Sequence, residues 1–428
     1  MSLRAILGWG VVAVAALLVG ALVVTAIRNR SLPTSPAMPG TLGERAQVHL
    51  AEAAHLIDGL GDKVWPASAD RPGWHEVPIP LVTYDEAFVY LVGHPNPPAG
   101  WRRVPDGQQF GNPWEPIDGM APVVASVQGG GQVYRAPLPG GDVTPQAFTV
   151  QIGELWASSM ATQEWTRIML YEQFHKDLPP VLRDIFPYRL AASLLLQGSD
   201  GYLMAIVHEA FHAYQGSVAP ERLIAGERVQ RAQEGCYPWE DQAFEAAWQV
   251  ELDLLVQGLR AESDDEARER ARTFLAQREA RRQDAQLDPA LIDYERQREW
   301  VEGLAKYSEL RMWEEAYEGV RADPPSYVPV GAMDADADFR SYNGYPNRYR
   351  SEVAQVKRTA GRHGDGRFYY SGMAQAYLLD RLALGWKAAI FEEGVFLEAL
   401  LSEAVDGAAV VYGTADVTSP VDAGMPVP

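Results

Sequence analysis

At 428 residues, 47% hydrophobic and 22% charged, the chain has a globular composition and is long enough for one large domain or two smaller ones. Its net charge of −20, from 57 acidic against 37 basic residues, argues against nucleic acid as a partner, because a phosphate backbone would be repelled. The single cysteine, Cys236, excludes a disulfide framework and a cysteine-based zinc site within one chain, and it is expected to be a buried thiol.

Residues 5–27 carry no charge and are long enough to span a bilayer as a helix. The run ends in Arg28-Asn-Arg30 rather than in a small-residue cleavage site, so an uncleaved anchor within residues 1–30 is expected. Arg4 precedes the span and Arg28 and Arg30 follow it, so charge counting gives no clear orientation. Long domains translocate largely regardless of charge, and the body is expected outside the cytoplasm, making this a single-pass protein of the cell membrane. Residues 31–41 read as a linker, since Pro33, Pro36 and Pro39 favour extended chain.

A helix is predicted at about 43–60 from Ala51, Ala54, Leu56, Ile57 and Leu60 at helical spacing. His49 and His55 within it read as ordinary surface or partly buried residues, with no acid at ligand spacing. From 64 to about 150 the chain is rich in Pro, Gly and Trp, with strand-like runs at 87–92, 123–127 and 148–152. Gly129-Gly-Gly131 suggests a hairpin turn rather than a phosphate loop, because no helix opens after it. Helices are expected at 163–176, 188–197 and 202–215, and then over most of the chain to about 320. The segment from Asp264 to Arg272 mixes charge signs densely and reads as a solvated helix face.

The helix at 202–215 contains His208-Glu209-Ala-Phe-His212, an H-E-x-x-H motif. Residues four apart share one helix face, so His208 and His212 can bind one metal ion, and Glu209 can reach a metal-bound water as general base. Zn²⁺ fits, because it takes imidazole ligands and needs no redox change. The uncharged Ile206, Val207, Ala210, Phe211 and Ala213 allow this helix to run through a core.

A zinc hydrolase needs a third protein ligand and an open position. Here Glu302-Gly-Leu-Ala-Lys-Tyr307 resembles the N-E-G-x-A-x-Y segment of the gluzincin metallopeptidases, with Val301 in place of the leading Asn. The resemblance implies that Glu302 is the third zinc ligand, and Glu309 matches an acid often seen seven positions later. Glu309 and Glu251 are the alternative ligands, each on an expected helix after the motif. The small Gly303 would let two helices approach closely, which fits a ligand helix packed on the H-E-x-x-H helix.

Further on, Tyr369-Tyr-Ser-Gly372 resembles the Y-x-x-G segment of aminopeptidase-like gluzincins, which implies that the Tyr369 hydroxyl stabilises an oxyanion. Tyr370 and His363 are the neighbouring alternatives. The matches cover three short segments between 202 and 380, and 89 residues separate His212 from Glu302. No G-A-M-E-N segment precedes the motif, since Gly331-Ala-Met-Asp334 lies downstream without the Glu, so aminopeptidase specificity is not implied. Asp334, Asp336 and Asp338 alternate as calcium ligands can, but Phe339 stands where an EF-hand loop needs Gly, and an acidic surface loop is expected.

The resemblance implies a zincin-like core in an α+β, mostly helical protein, to which the uncharged run at 5–27 adds a single N-terminal transmembrane helix. A small β-containing N-terminal part would occupy 42–150. A zincin-like catalytic core would occupy 151–412, with a helical insertion at 217–299, followed by a disordered tail at 413–428. In such enzymes an edge strand near the active helix pairs with the substrate backbone, and residues 148–158 are the candidate. The expected function is that of a membrane-anchored zinc metallopeptidase acting on a peptide or protein substrate. The alternative is a non-catalytic, metallopeptidase-like binding module tethered to the membrane.

Overall fold

The fold is given by a computed structural model that describes residues 16–17, 19–33, 41–117, 132–138 and 150–406. The strand-like run at 123–127, the turn at Gly129–Gly131, most of the linker and the C-terminal tail lie outside the described residues. An apolar helix, α1 (Val19–Asn29), follows the undescribed N-terminus, and among the described residues no single helix is long and apolar enough to cross a membrane. The predicted span at 5–27 therefore lies partly outside the described residues.

Helix α2 (Glu44–Val64) leads into a mixed sheet. Its strands are β1 (Leu81–Tyr84), β2 (Phe88–Val92), β3 (Trp101–Arg103), β4 (Gln109–Phe110), β5 (Glu115–Ile117), β6 (Val133–Pro137), β7 (Val150–Ile152) and β8 (Leu155–Ala161). They lie in the order β4-β3-β7-β8-β1-β2-β6-β5, and the β1–β8 pair is parallel while the others are antiparallel. Side chains alternate between faces, as a pleated strand requires. In β2, Val89 and Leu91 enter a core with Val82 and Trp101, while Tyr90 and Val92 join the helical core.

The expectation for residues 148–158 is overturned by this order. β7 lies between β3 and β8, and β8 between β7 and β1, so the described part of this run is inside the sheet and not at its edge; β8 pairs with β7 over Leu155–Ala157 and with β1 over Ser158–Ala161. The outermost described strands are β4 and β5.

After the sheet come α3 (Gln163–Asp177), α4 (Pro180–Arg183) and α5 (Tyr188–Leu195). The Thr162 hydroxyl caps α3 by accepting from the Trp165 amide at 3.2 Å. Then comes α6 (Ser199–Val218), the H-E-x-x-H helix, in which 16 of 20 residues are buried. A helix apolar nearly all round has to be a core helix. The sheet covers one side of α6 through β8, where Gly216 leaves room for Trp156: a Cβ on Gly216 would lie 2.4 Å from that ring.

The rest is helical: α7 (Pro220–Gln233), α8 (Gln242–Leu259), α9 (Asp264–Asp284), α10 (Pro289–Arg298), a π turn at Glu299–Gly303, α11 (Leu304–Arg321), α12 (Tyr345–Val356), α13 (Gly366–Leu382), α14 (Trp386–Ala389) and α15 (Leu397–Asp406). Asp241, Ser263 and Asp288 cap α8, α9 and α10 through their side chains. α2 and α11 pack on α6 and on each other, and α13 lies against α11, the π turn and α8.

Three smaller expectations are corrected. The Cys236 thiol, between α7 and α8, is exposed rather than buried. His49 is buried and its Nε2 lies 2.7 Å from Asp336 Oδ2, which also accepts from the Ser199 hydroxyl at 2.6 Å. Asp336 is therefore a largely buried tie between α2 and the start of α6, not part of a freely solvated acidic loop. The solvated-face expectation for Asp264–Arg272 holds, its charged side chains being exposed or half-buried, while Arg278, Arg281 and Arg282 beyond that segment are buried.

Candidate metal centre

His208 and His212 lie one turn apart on α6, with ring centroids 5.0 Å from each other. Each Nε2 is 3.4 Å from the same atom, Oε2 of Glu302. One potential ligand atom from each of the three residues falls within 4.8 Å of the others, in a buried cluster. Glu302 reaches this point from the π turn, where an extra residue per turn re-aims the side chain and leaves backbone carbonyls to find partners elsewhere.

Those carbonyls are met by Gln215. Its Nε2 donates to Trp300 O at 2.8 Å and to Val301 O at 3.3 Å, and its Oε1 lies 2.9 Å from His212 Nδ1. Because only the amide nitrogen can serve carbonyls, Oε1 faces the imidazole and accepts the Nδ1 proton. In the neutral ring the lone pair of His212 is then on Nε2, facing Glu302. His208 is handled in parallel by Glu309, whose Oε2 lies 3.4 Å from His208 Nδ1. Glu309 is itself held by Lys306 at 2.8 Å. Carboxylate or amide partners behind ligating histidines fix ring orientation in this way.

The other oxygen of Glu302, Oε1, accepts from Arg298 Nη2 at 2.6 Å, and the buried Arg298 also holds Asp365 at 2.9 Å and Glu227 at 2.8 Å. Oε2 of Glu302 and Oε2 of Glu209 are both buried and have no hydrogen-bond partner. Burial disfavours charge on either imidazole, yet Glu302, Glu309 and Glu209 outweigh it and push His208 up to about 10. His212 is raised in the same sense, burial opposing and Glu302 prevailing. Burial also raises the Glu209 carboxyl, against the lowering effect of His212 and His208. Three carboxylates around two imidazoles form a pocket that favours a cation. Two orphaned carboxylate oxygens beside two aligned imidazole nitrogens fit a zinc-type donor set.

Tyr369 arrives from α13 because two glycines meet. A Cβ on Gly303 would lie 2.5 Å from Gly372 Cα, and one on Gly372 would lie 2.7 Å from the Glu299 carbonyl oxygen. The backbones of α13 and the π turn are thus in direct contact. Gly303 permits close approach, as expected, but its partner is α13 rather than α6. One turn before Gly372, the Tyr369 ring stacks on His208, with centroids 5.5 Å apart and planes within 8°. Burial, then the Glu302 carboxylate, push its phenol well above the ordinary value. Tyr369, Glu209, His212 and Glu302 line one cleft of about 370 Å³ with Arg298 and Asp365. The Arg231–Asp106 ion pair ties α7 to the β3–β4 loop beside it.

The alternatives lie elsewhere. Glu251 is buried against Arg278 and Arg281. Glu309 stands behind His208 and outside the group of three. The Tyr370 hydroxyl donates to Glu352 at 2.7 Å, and His363 stacks on Trp239. Sequence reasoning missed Gln215 and Arg298. Both carry a spacing signal, three residues after His212 and four before Glu302, that marks a shared helix face.

Comparison with protein-family models, with curated proteins and with solved structures found no match. What is established for the chain is a buried group of two histidines and a glutamate, in a mostly helical core, that could hold a metal ion.

Proposed function

We propose that the protein is a membrane-tethered, zinc-dependent metallopeptidase of gluzincin type. The observation that carries this reading is the convergence of His208, His212 and Glu302 beside the unpartnered Oε2 of Glu209 in the cleft. His208, His212 and Glu302 would hold Zn²⁺. When bound, the ion supplies Lewis acidity that acidifies water and polarises a carbonyl. Glu209 takes the proton of the attacking water and passes it to the leaving amine. Tyr369 donates its hydroxyl to the oxyanion that develops on the substrate carbonyl. A peptide or protein is the substrate class, supported by the resemblance of 302–307 and 369–372 to gluzincin segments. The uncharged run at 5–27 supports tethering to the cell membrane, with the body outside the cytoplasm.

The test is metal content and peptide hydrolysis of the purified full-length chain, beside Glu302→Ala and Glu209→Gln. About one zinc per chain is expected, lost or much weakened in Glu302→Ala. In Glu209→Gln the zinc is expected to stay while hydrolysis disappears. No zinc in the wild-type chain would overturn the enzyme reading.

A further inference from the structure

Exposed apolar side chains are concentrated on one part of the molecule. Among the described residues, fifteen large hydrophobic side chains are exposed. Six lie on and just before α1, six lie on or beside α3–α5, and only Val250, Val328 and Leu384 lie elsewhere. On the second group Val181 is 82% exposed, Leu194 77%, Leu195 63% and Leu190 58%. α5 is apolar on both sides, because Tyr188 and Ala192 turn inward to a small core with Tyr171 while Leu190 and Leu194 turn out. An uncovered apolar face, here Leu190, Leu194 and Leu195 beside the exposed Arg189 and Ser193, marks an interaction surface.

The chain itself indicates what covers it. The Asn29 amide donates to the carbonyls of Asp184 at 2.8 Å and Phe186 at 2.9 Å, and Arg189 donates to the Ser31 carbonyl at 2.9 Å. Leu32 packs on the Tyr171–Tyr188 core. The end of α1 is therefore fastened to α4–α5. A hollow of about 580 Å³ beside it is lined by Arg30, Lys176 and Arg183, by Glu172 and Asp184, and by Tyr171 and Tyr188. Basic and tyrosine side chains next to an apolar face are the groups that anchor a protein at the headgroup level of a bilayer.

We infer that α3–α5 form a membrane seat: the outward face of α4–α5 lies in the boundary between headgroups and acyl chains of the bilayer that holds the N-terminal segment. The depth typical of such interfacial helices is about 5–10 Å. The inference rests on the membrane-tether part of the reading above and is independent of the metal. α6 begins four residues after α5, and His208 lies nine residues along it, about 14 Å at helical rise. The seat therefore fixes the height of the metal centre above the bilayer, which a flexible tether would leave free.

The experiment uses the full-length chain reconstituted into vesicles of phosphatidylcholine and phosphatidylglycerol. Leu194→Cys in a Cys236→Ser background carries a polarity-sensitive fluorophore, and the wild-type chain labelled at the exposed Cys236 is the comparison. Brominated acyl chains are expected to quench most of the emission at position 194 and aqueous iodide little of it, with the reverse order at 236. Iodide quenching at 194 equal to that at 236 would overturn the seat. Protection of 194 from both quenchers would also overturn it, since protein (a second copy of the chain) would then cover the face. Release of the chain from vesicles by alkaline carbonate would overturn tether and seat together, whereas a retained chain with a wet position 194 overturns the seat alone.

Discussion

His212 can ligate a metal only while its Nε2 carries the lone pair, and Gln215 decides that. The amide is locked by two backbone carbonyls of the π turn, so its oxygen has one orientation and the imidazole one tautomer. The same side chain thus orients a histidine of the candidate site on α6 and braces the turn that carries Glu302. Replacing it with Leu removes the acceptor and leaves the carbonyls of Trp300 and Val301 unserved. Gln215→Leu is expected to weaken zinc about 10–100-fold, read by titration against a competing chelator. An unchanged zinc affinity, with only the apoprotein's melting temperature lowered, would show Gln215 to be a core filler. At this scale the sequence was informative where chemistry depends on spacing within one helix. His208, Glu209 and His212 follow from i, i+4 geometry alone, whereas Asp365 enters only through a tertiary contact, holding the same Arg298 Nη2 that donates to Glu302 Oε1.

Between elements, the contact that assembles the site is backbone on backbone. Gly303 and Gly372 come from segments nearly seventy residues apart, and neither has room for a methyl group. For Gly372→Ala the new Cβ would meet the Glu299 carbonyl oxygen at 2.7 Å, an atom that cannot swing aside. α13 has to move off the π turn, carrying Tyr369 away from His208. Stability to chemical denaturant is expected to fall by about 1–3 kcal/mol, and peptide hydrolysis with it. A variant with wild-type stability would mean that the two backbones have slack. Gly303 was legible as a point of close approach, but not its partner, because small size says that something comes near and not what. The same limit applied to the sheet. The strand at 155–161 was near the expected place, yet its position between β7 and β1 depends on a parallel pairing with residues 81–84 that no local pattern encodes. Cys236 was misjudged because a lone thiol carries no spacing at all.

Across the whole molecule, a buried charge network joins elements that the sequence showed only as charged helices. Arg278, Arg281 and Arg282 of α9 meet Glu251 of α8, Glu295 of α10, Glu299 of the π turn and Glu398 of α15. Ser371 of α13 donates to Glu299 at 2.5 Å, so the network reaches the turn that presents Glu302. Burial by itself would push the Glu295 carboxyl up, but Arg281 and Arg282 prevail and hold it at about 2. Glu398 is likewise held low by Arg278 and Arg282 despite its burial. A carboxyl whose folded pKa lies below its unfolded value of about 4.3 binds more protons unfolded than folded there. Its contribution is complete above the unfolded value and is lost as the pH falls toward the folded one. Denaturant stability of the metal-free chain is therefore expected to drop steeply between about pH 4.5 and pH 2. Glu295→Gln is expected to be less stable at pH 7, since Arg281 and Arg282 lose a buried partner, and to show a shallower fall over that window by roughly one proton. Equal slopes for the two proteins would mean that Glu295 titrates normally and that the acid sensitivity of the fold lies elsewhere.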